Sequence, residues 1–107
     1  MDLIAQTPIF RGLAATELEQ LRAATRTRRF ERDSYLFREG DPGSHLIIVV
    51  RGEIKIAHVS EGGAEVVFAI AGPGDVLGEL SIFEKDGLRT ADAQALDTAE
   101  CLIIARD

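Results

Sequence analysis

The chain has a single cysteine, Cys101, among 107 residues, so no disulfide can form within it. That usage fits a reducing compartment. No run approaches the roughly 18 apolar residues that a membrane-spanning helix requires. Met1 to Ile9 lacks a basic stretch followed by a long apolar run, so no secretory signal is expected there. The two histidines, His45 and His58, read as surface or turn residues. No His, Cys, Asp or Glu grouping has metal-ligand spacing, so neither a metal nor a cofactor is expected. Internal repeats and low-complexity segments are also missing. Positive charge is in deficit: the formal net charge is −6. That argues against a nucleic-acid or anionic-membrane binder acting through its whole surface. It leaves room for a local site for a small anion, where one arginine can dominate its surroundings. These absences together suggest a cytoplasmic protein.

What is present is enough for one core. The hydrophobic fraction is 46%, ordinary for a globular protein. A domain of this length buries roughly two-thirds of the surface its unfolded chain exposes. One domain, residues 1–107, is expected.

The first part reads as helical. Leu13, Leu18 and Leu21, with Ala14 and Ala24, fall near one face at helical spacing. Thr16 followed by Glu19 fits a capping box, with a slightly earlier helix start as the alternative. Thr7-Pro8-Ile9-Phe10 reads as an anchoring turn, set apart from the helix by Gly12. From about Thr25 the texture changes to short apolar runs separated by turn signals. Candidate strands cover Thr25 to Phe30, Tyr35 to Phe37, Leu46 to Val50, Ile54 with Ile56, Val66 to Ala71, Val76-Leu77, Thr90 to Ala95 and Cys101 to Ala105. The turns include Gly40-Asp41-Pro42-Gly43, Arg51-Gly52, Gly62-Gly63 and Gly72-Pro73-Gly74-Asp75. This pattern predicts a mainly β protein: an antiparallel β-roll, jelly-roll-like, of about eight strands with an N-terminal helix. One segment interrupts the strands. Gly78 to Phe83 can make one or two helical turns, followed by the polar loop Glu84 to Leu88 and then Arg89-Thr90-Ala91.

That interruption carries groups suited to a cyclic phosphodiester attached to a ribose. Arginine presents a planar fork able to donate two parallel hydrogen bonds to phosphate oxygens. A helix start offers free backbone N–H groups, and Gly78 permits close approach there. The Thr90 hydroxyl can add a donor, and the Glu79 carboxylate can accept from a ribose hydroxyl.

The order of these residues sharpens the reading. Gly74-Asp75-Val76-Leu77-Gly78-Glu79-Leu80-Ser81, followed by Arg89-Thr90-Ala91, resembles the phosphate-binding cassette of cyclic-nucleotide-binding domains. The similarity is greatest to the bacterial catabolite-activator and fumarate-nitrate-regulator transcription factors. Thr7 to Phe10 with Gly12-Leu13 resembles the opening of such domains. Phe37-Arg38-Glu39-Gly40-Asp41 and Val50-Arg51-Gly52-Glu53 resemble their glycine turns. The resemblance implies a sensor that binds cAMP, with cGMP as the second candidate, and catalyses nothing. It implies that Glu79 accepts from the ribose 2′-OH, that Arg89 and Thr90 bind the phosphate, and that backbone amides of Gly78, Leu80 and Ser81 hold the ribose phosphate on a short helix. It also implies that Leu77 and an apolar residue between Val67 and Ala71 wall the cavity.

In that family a long helix that caps the base and mediates dimerisation follows the last strand, and a DNA-binding domain follows the helix. The chain stops at Ala105-Arg106-Asp107, where that helix would begin. The expectation is a regulatory fragment of a dimeric transcription factor that reaches DNA only through the parent's C-terminal domain. The fragment on its own can be monomeric, and a stand-alone module is the alternative to a fragment. Two rival functions remain: a β-roll interaction module that binds no nucleotide or senses another effector, and an enzyme, disfavoured because no metal site or activated water is apparent. Arg26, Arg28, Arg29 and Arg32 read as a solvated strand edge, and Cys101 as a small core residue.

Overall fold

The computed structural model describes residues 10, 12–43, 45–78 and 87–105. Helix α1 (Ala15–Ala23) precedes eight strands: β1 (Thr25–Phe30), β2 (Tyr35–Phe37), β3 (His45–Arg51), β4 (Ile54–Val59), β5 (Glu65–Ala71), β6 (Val76–Leu77), β7 (Asp92–Ala95) and β8 (Ala99–Ala105). They form two four-stranded sheets in the orders β1-β8-β3-β6 and β2-β7-β4-β5, with every pairing antiparallel. Only the β4–β5 hairpin stays within one sheet; every other connection crosses to the opposite sheet. The architecture is the mainly β, antiparallel β-roll expected from the sequence.

The main core lies between the sheets. Phe30, Ile47, Val49, Ile54, Leu77, Ala93, Ala95, Cys101 and Ile103 pack together there. A second cluster of Leu46, Ile48 and Ile104 lies on the other face of the first sheet, with Phe10, Leu21 and Val76 packed against it. β3 is therefore buried on both faces, which explains its unbroken apolar run. Between β3 and β4, Gly52 has φ +91°, and a Cβ there would sit 2.7 Å from the Thr98 carbonyl oxygen and 2.8 Å from the Ala99 Cα. Only glycine meets both demands.

β3, β4, β5 and β8 each run one to three residues beyond the expected strands, and two further boundaries shift for local reasons. The helix starts earlier, with Ala14 as its N-cap. Glu17, not Glu19, reaches back to accept from the Ala14 N–H at 3.0 Å. Alanine has no acceptor, so only that half of a capping box exists, and Glu19 instead pairs with Arg22 at 3.0 Å. β7 begins at Asp92 rather than Thr90, because residues 87–89 just before it pair with the turn after β2 instead of with the sheet. The expected short helix after Gly78 and the Thr7 to Ile9 turn lie outside the described residues.

Candidate functional site

The two-residue strand β6 aims the chain at the site. It pairs with β3 through Leu77 opposite Ile47 and Val76 opposite Ile48. Asp75 closes the turn before it: its carboxylate accepts from the Gly72 N–H at 2.8 Å, and its own N–H donates to the Gly72 carbonyl at 3.0 Å. Gly74 donates to the Val49 carbonyl at 2.7 Å, tying the turn to β3. Leu77 then buries its side chain in the core, and the chain leaves at Gly78 with φ +83°. A Cβ on Gly78 would overlap the Arg89 Nη1 and lie 3.2 Å from the His45 carbonyl oxygen. Glycine is required here by conformation and by space.

Arg89 comes from a distant part of the sequence and is fixed at both ends. Its N–H donates to the Asp41 carbonyl at 2.8 Å, and its carbonyl accepts from the Gly40 N–H at 2.9 Å. Pro42 and Leu88 form a β-bridge beside them, and the Gly43 N–H donates to the Gly87 carbonyl at 2.6 Å. The Gly40-Asp41-Pro42-Gly43 turn is thus a cradle for residues 87–89. The Arg89 side chain turns inward and the residue is only 5% exposed. Nη2 donates to the His45 carbonyl at 2.8 Å and Nη1 to the Gly78 carbonyl at 3.4 Å. The guanidinium carbon lies 4.3 Å from the centroid of the Phe37 ring, an arrangement suited to cation–π attraction. Burial lowers the Arg89 pKa from its usual value, and the nearby Asp41 charge opposes that shift. An arginine remains charged at neutral pH. Holding this cation in a site mostly closed to water has a cost, and an anion facing it would offset that cost.

A second buried charge lies three residues on. Asp92, at the start of β7, is 7% exposed. Its Oδ1 accepts from the Glu39 N–H at 2.6 Å and lies 3.4 Å from the Arg38 Nε. The Arg38 N–H in turn donates to the Asp41 carboxylate at 2.9 Å. Among the described residues there is also a cavity of about 330 Å³ at the α1–β1 junction, lined by Ala23, Ala24, Thr25, Arg26, His45 and Ile103. It includes neither Arg89 nor Gly78, and it lacks their convergence of donors.

Residues 27–107 match the cyclic nucleotide-binding domain family. The chain belongs to that family. Among curated relatives, it is 33% identical over 106 residues to a CRP-like cAMP-activated global transcriptional regulator of Mycobacterium tuberculosis, covering 99% of this chain and 47% of that protein. The chain therefore spans about half the length of such relatives. Among solved structures, it resembles the N-terminal domain of a transcriptional regulator from Streptomyces coelicolor with a TM-score of 0.85 and 36% identity, over 97% of this chain and 72% of the other. It also resembles the regulatory domain of Toxoplasma gondii PKA, crystallised with cAMP, with a TM-score of 0.90 and 30% identity, over 98% of this chain and 40% of the other. The matched family is described by what it binds and not by a reaction.

Of the residues that the sequence assigns to the ligand site of this cyclic nucleotide-binding domain, the fold brings Gly78 and Arg89 into contact. Thr90 is exposed just ahead of β7, while Glu79, Leu80 and Ser81 lie outside the described residues. Within the stretch expected to supply a cavity wall, Val67, Phe68 and Ile70 are exposed on β5, and Ala71 joins the core between the sheets. Sequence reasoning missed three contributors. Phe37 and the turn after it were legible only as β-roll features. His45 acts through its carbonyl, which leaves no mark on residue type; it starts β3 half-buried rather than in a surface turn. Asp92 sits where a strand was expected, and nothing local distinguishes it from a solvated carboxylate. His58, on β4, pairs with the Glu39 carboxylate at the surface. Arg26, Arg28 and Arg29 are exposed along edge strand β1.

Proposed function

We propose that this domain is a sensor that binds a cyclic nucleotide, cAMP foremost with cGMP second. Arg89 would engage the cyclic phosphate, joined by Thr90 and the backbone amides of Gly78, Leu80 and Ser81, while Glu79 would accept from the ribose 2′-OH. The observation that carries this reading is the Arg89 guanidinium, buried and seated against Gly78 where the cassette begins. The 3.4 Å contact from Nη1 to the Gly78 carbonyl is long, so exchanging it for a phosphate oxygen sacrifices little. The ligand shifts the domain between conformations only by its differential affinity for them. In a longer parent, that shift would be passed to a DNA-binding domain of a dimeric, cytoplasmic transcription factor; the name of the M. tuberculosis relative, a cAMP-activated global transcriptional regulator, supports the transcriptional role. No helix among the described residues is long and apolar enough to cross a membrane.

Thermal melting with and without nucleotide tests the reading. A ligand at about 100 times its dissociation constant adds about 2.7 kcal/mol to the stability of the folded state. For a domain of this size that raises Tm by roughly 10 °C. No shift with either cAMP or cGMP at millimolar concentration would instead favour a β-roll that serves another effector or a protein partner.

A further inference from the structure

Arg89 needs a fixed backbone to hold its guanidinium in place, and that backbone is clamped by the Gly40-Asp41 turn through two hydrogen bonds. The turn is also held after Asp41 by the Pro42–Leu88 bridge and the Gly43–Gly87 hydrogen bond, and before Arg38 by the pairing of Phe37 with Ala93. Between those backbone ties its side-chain attachment to the 89–92 segment is the Asp92 carboxylate, which accepts from the Glu39 N–H at 2.6 Å and faces the Arg38 Nε at 3.4 Å. Segments 38–41 and 89–92 are therefore stitched at both ends: Asp41 and Gly40 hold Arg89, and Asp92 holds Glu39 and Arg38. The Arg38 guanidinium is half-exposed and stacks 4.0 Å from the Tyr35 ring centroid, so its ion pair with Asp92 adds little. The hydrogen bond to the buried carboxylate is the stronger link, because its acceptor is charged and shielded from water. A buried carboxylate is poor evidence of stabilisation, since an apolar residue in its place is often neutral or better. Its use here is geometric.

We propose that Asp92 is a positioning residue for Arg89: its buried carboxylate fixes the Arg38-to-Asp41 turn, and that turn sets where the guanidinium stands. The consequence for ligand affinity rests on the cyclic-nucleotide reading above; the consequence for Arg89 itself does not. The test uses the 107-residue chain, with the Arg89 side-chain Nε–Hε signal followed by ¹⁵N NMR and cAMP affinity by titration calorimetry. Asp92→Ala, with Asp92→Val in its place if the alanine variant does not fold, should shift or broaden the Arg89 signal and weaken cAMP binding about 10-fold, as expected for one misplaced charge-assisted contact. Asp92→Asn retains an acceptor oxygen and should return both readouts most of the way to wild type. Ile54→Val loosens the core away from this turn and should lower Tm while leaving the Arg89 signal in place. The proposal is overturned if Asp92→Ala or Asp92→Val leaves the Arg89 signal unchanged, or if Ile54→Val perturbs it equally. If wild type fails to bind cAMP, the ligand reading falls, and the Arg89 signal still decides the role of Asp92.

Discussion

Two residues separated by 11 positions meet because one is a glycine and the other is a buried arginine. Gly78→Ala would place a methyl group on the Arg89 Nη1 and force φ +83° on a residue with a Cβ. The strain costs about 1–2 kcal/mol, and the guanidinium must also move. Loss of stability together with loss of cAMP affinity is expected, measured by denaturant unfolding and titration; wild-type affinity would mean that the contact is irrelevant to the ligand. Cys101 offers a pH signature. Burial pushes its thiol pKa up from 9.0 to about 11. Below pH 9 both folded and unfolded states keep the proton. As pH rises from about 9 to about 11 the unfolded thiol ionises first, so stability falls across that window. Wild type should lose up to about 3 kcal/mol more than Cys101→Ala between those limits, compared by chemical unfolding at each pH. Parallel curves would contradict a water-excluded position for Cys101.

At the scale of elements, most of the strands were legible because turn glycines and β-branched runs mark them locally. β3 could be placed from its composition, but its burial on both faces follows from α1 packing over the first sheet, which no local pattern encodes. An earlier helix start was open, but the cap itself was not legible: Thr16 and Glu19 have the right spacing while Ala14 carries no signal, and the chain geometry chose Glu17. The end of β7 was read correctly and its beginning was not, since Thr90 is a good strand former held away from the sheet by Arg89's bonds to the Gly40-Asp41 turn. The turn at Gly52 was visible as a glycine, but its close approach to Thr98 was not. Gly52→Ala should cost at least about 2 kcal/mol, combining left-handed strain with overpacking against the backbone, as read from the urea midpoint. A near-neutral effect would show that the β3–β4 and β7–β8 turns can separate freely.

At the scale of the molecule, crossing between sheets at nearly every turn places sequence-distant segments side by side. Arg89 lies beside residues 40–41, 45 and 78 because β3, β6 and β7 converge there from different sheets. The candidate site was legible in its residue types, since Gly78 and Arg89 belong to a recognisable order. Its support was not, because a carbonyl from His45, a ring from Phe37 and a buried carboxylate from Asp92 depend on the fold alone. The central claim is that a buried guanidinium at the edge of β6 captures a cyclic phosphate. Isothermal titration of cAMP into wild type and into Arg89→Ala, each first shown to be folded by its melting curve, tests it most directly. Saturable one-to-one binding is expected for wild type, with affinity roughly 30- to 1,000-fold weaker in the variant; equal affinity in the two proteins, or none in either, would contradict it.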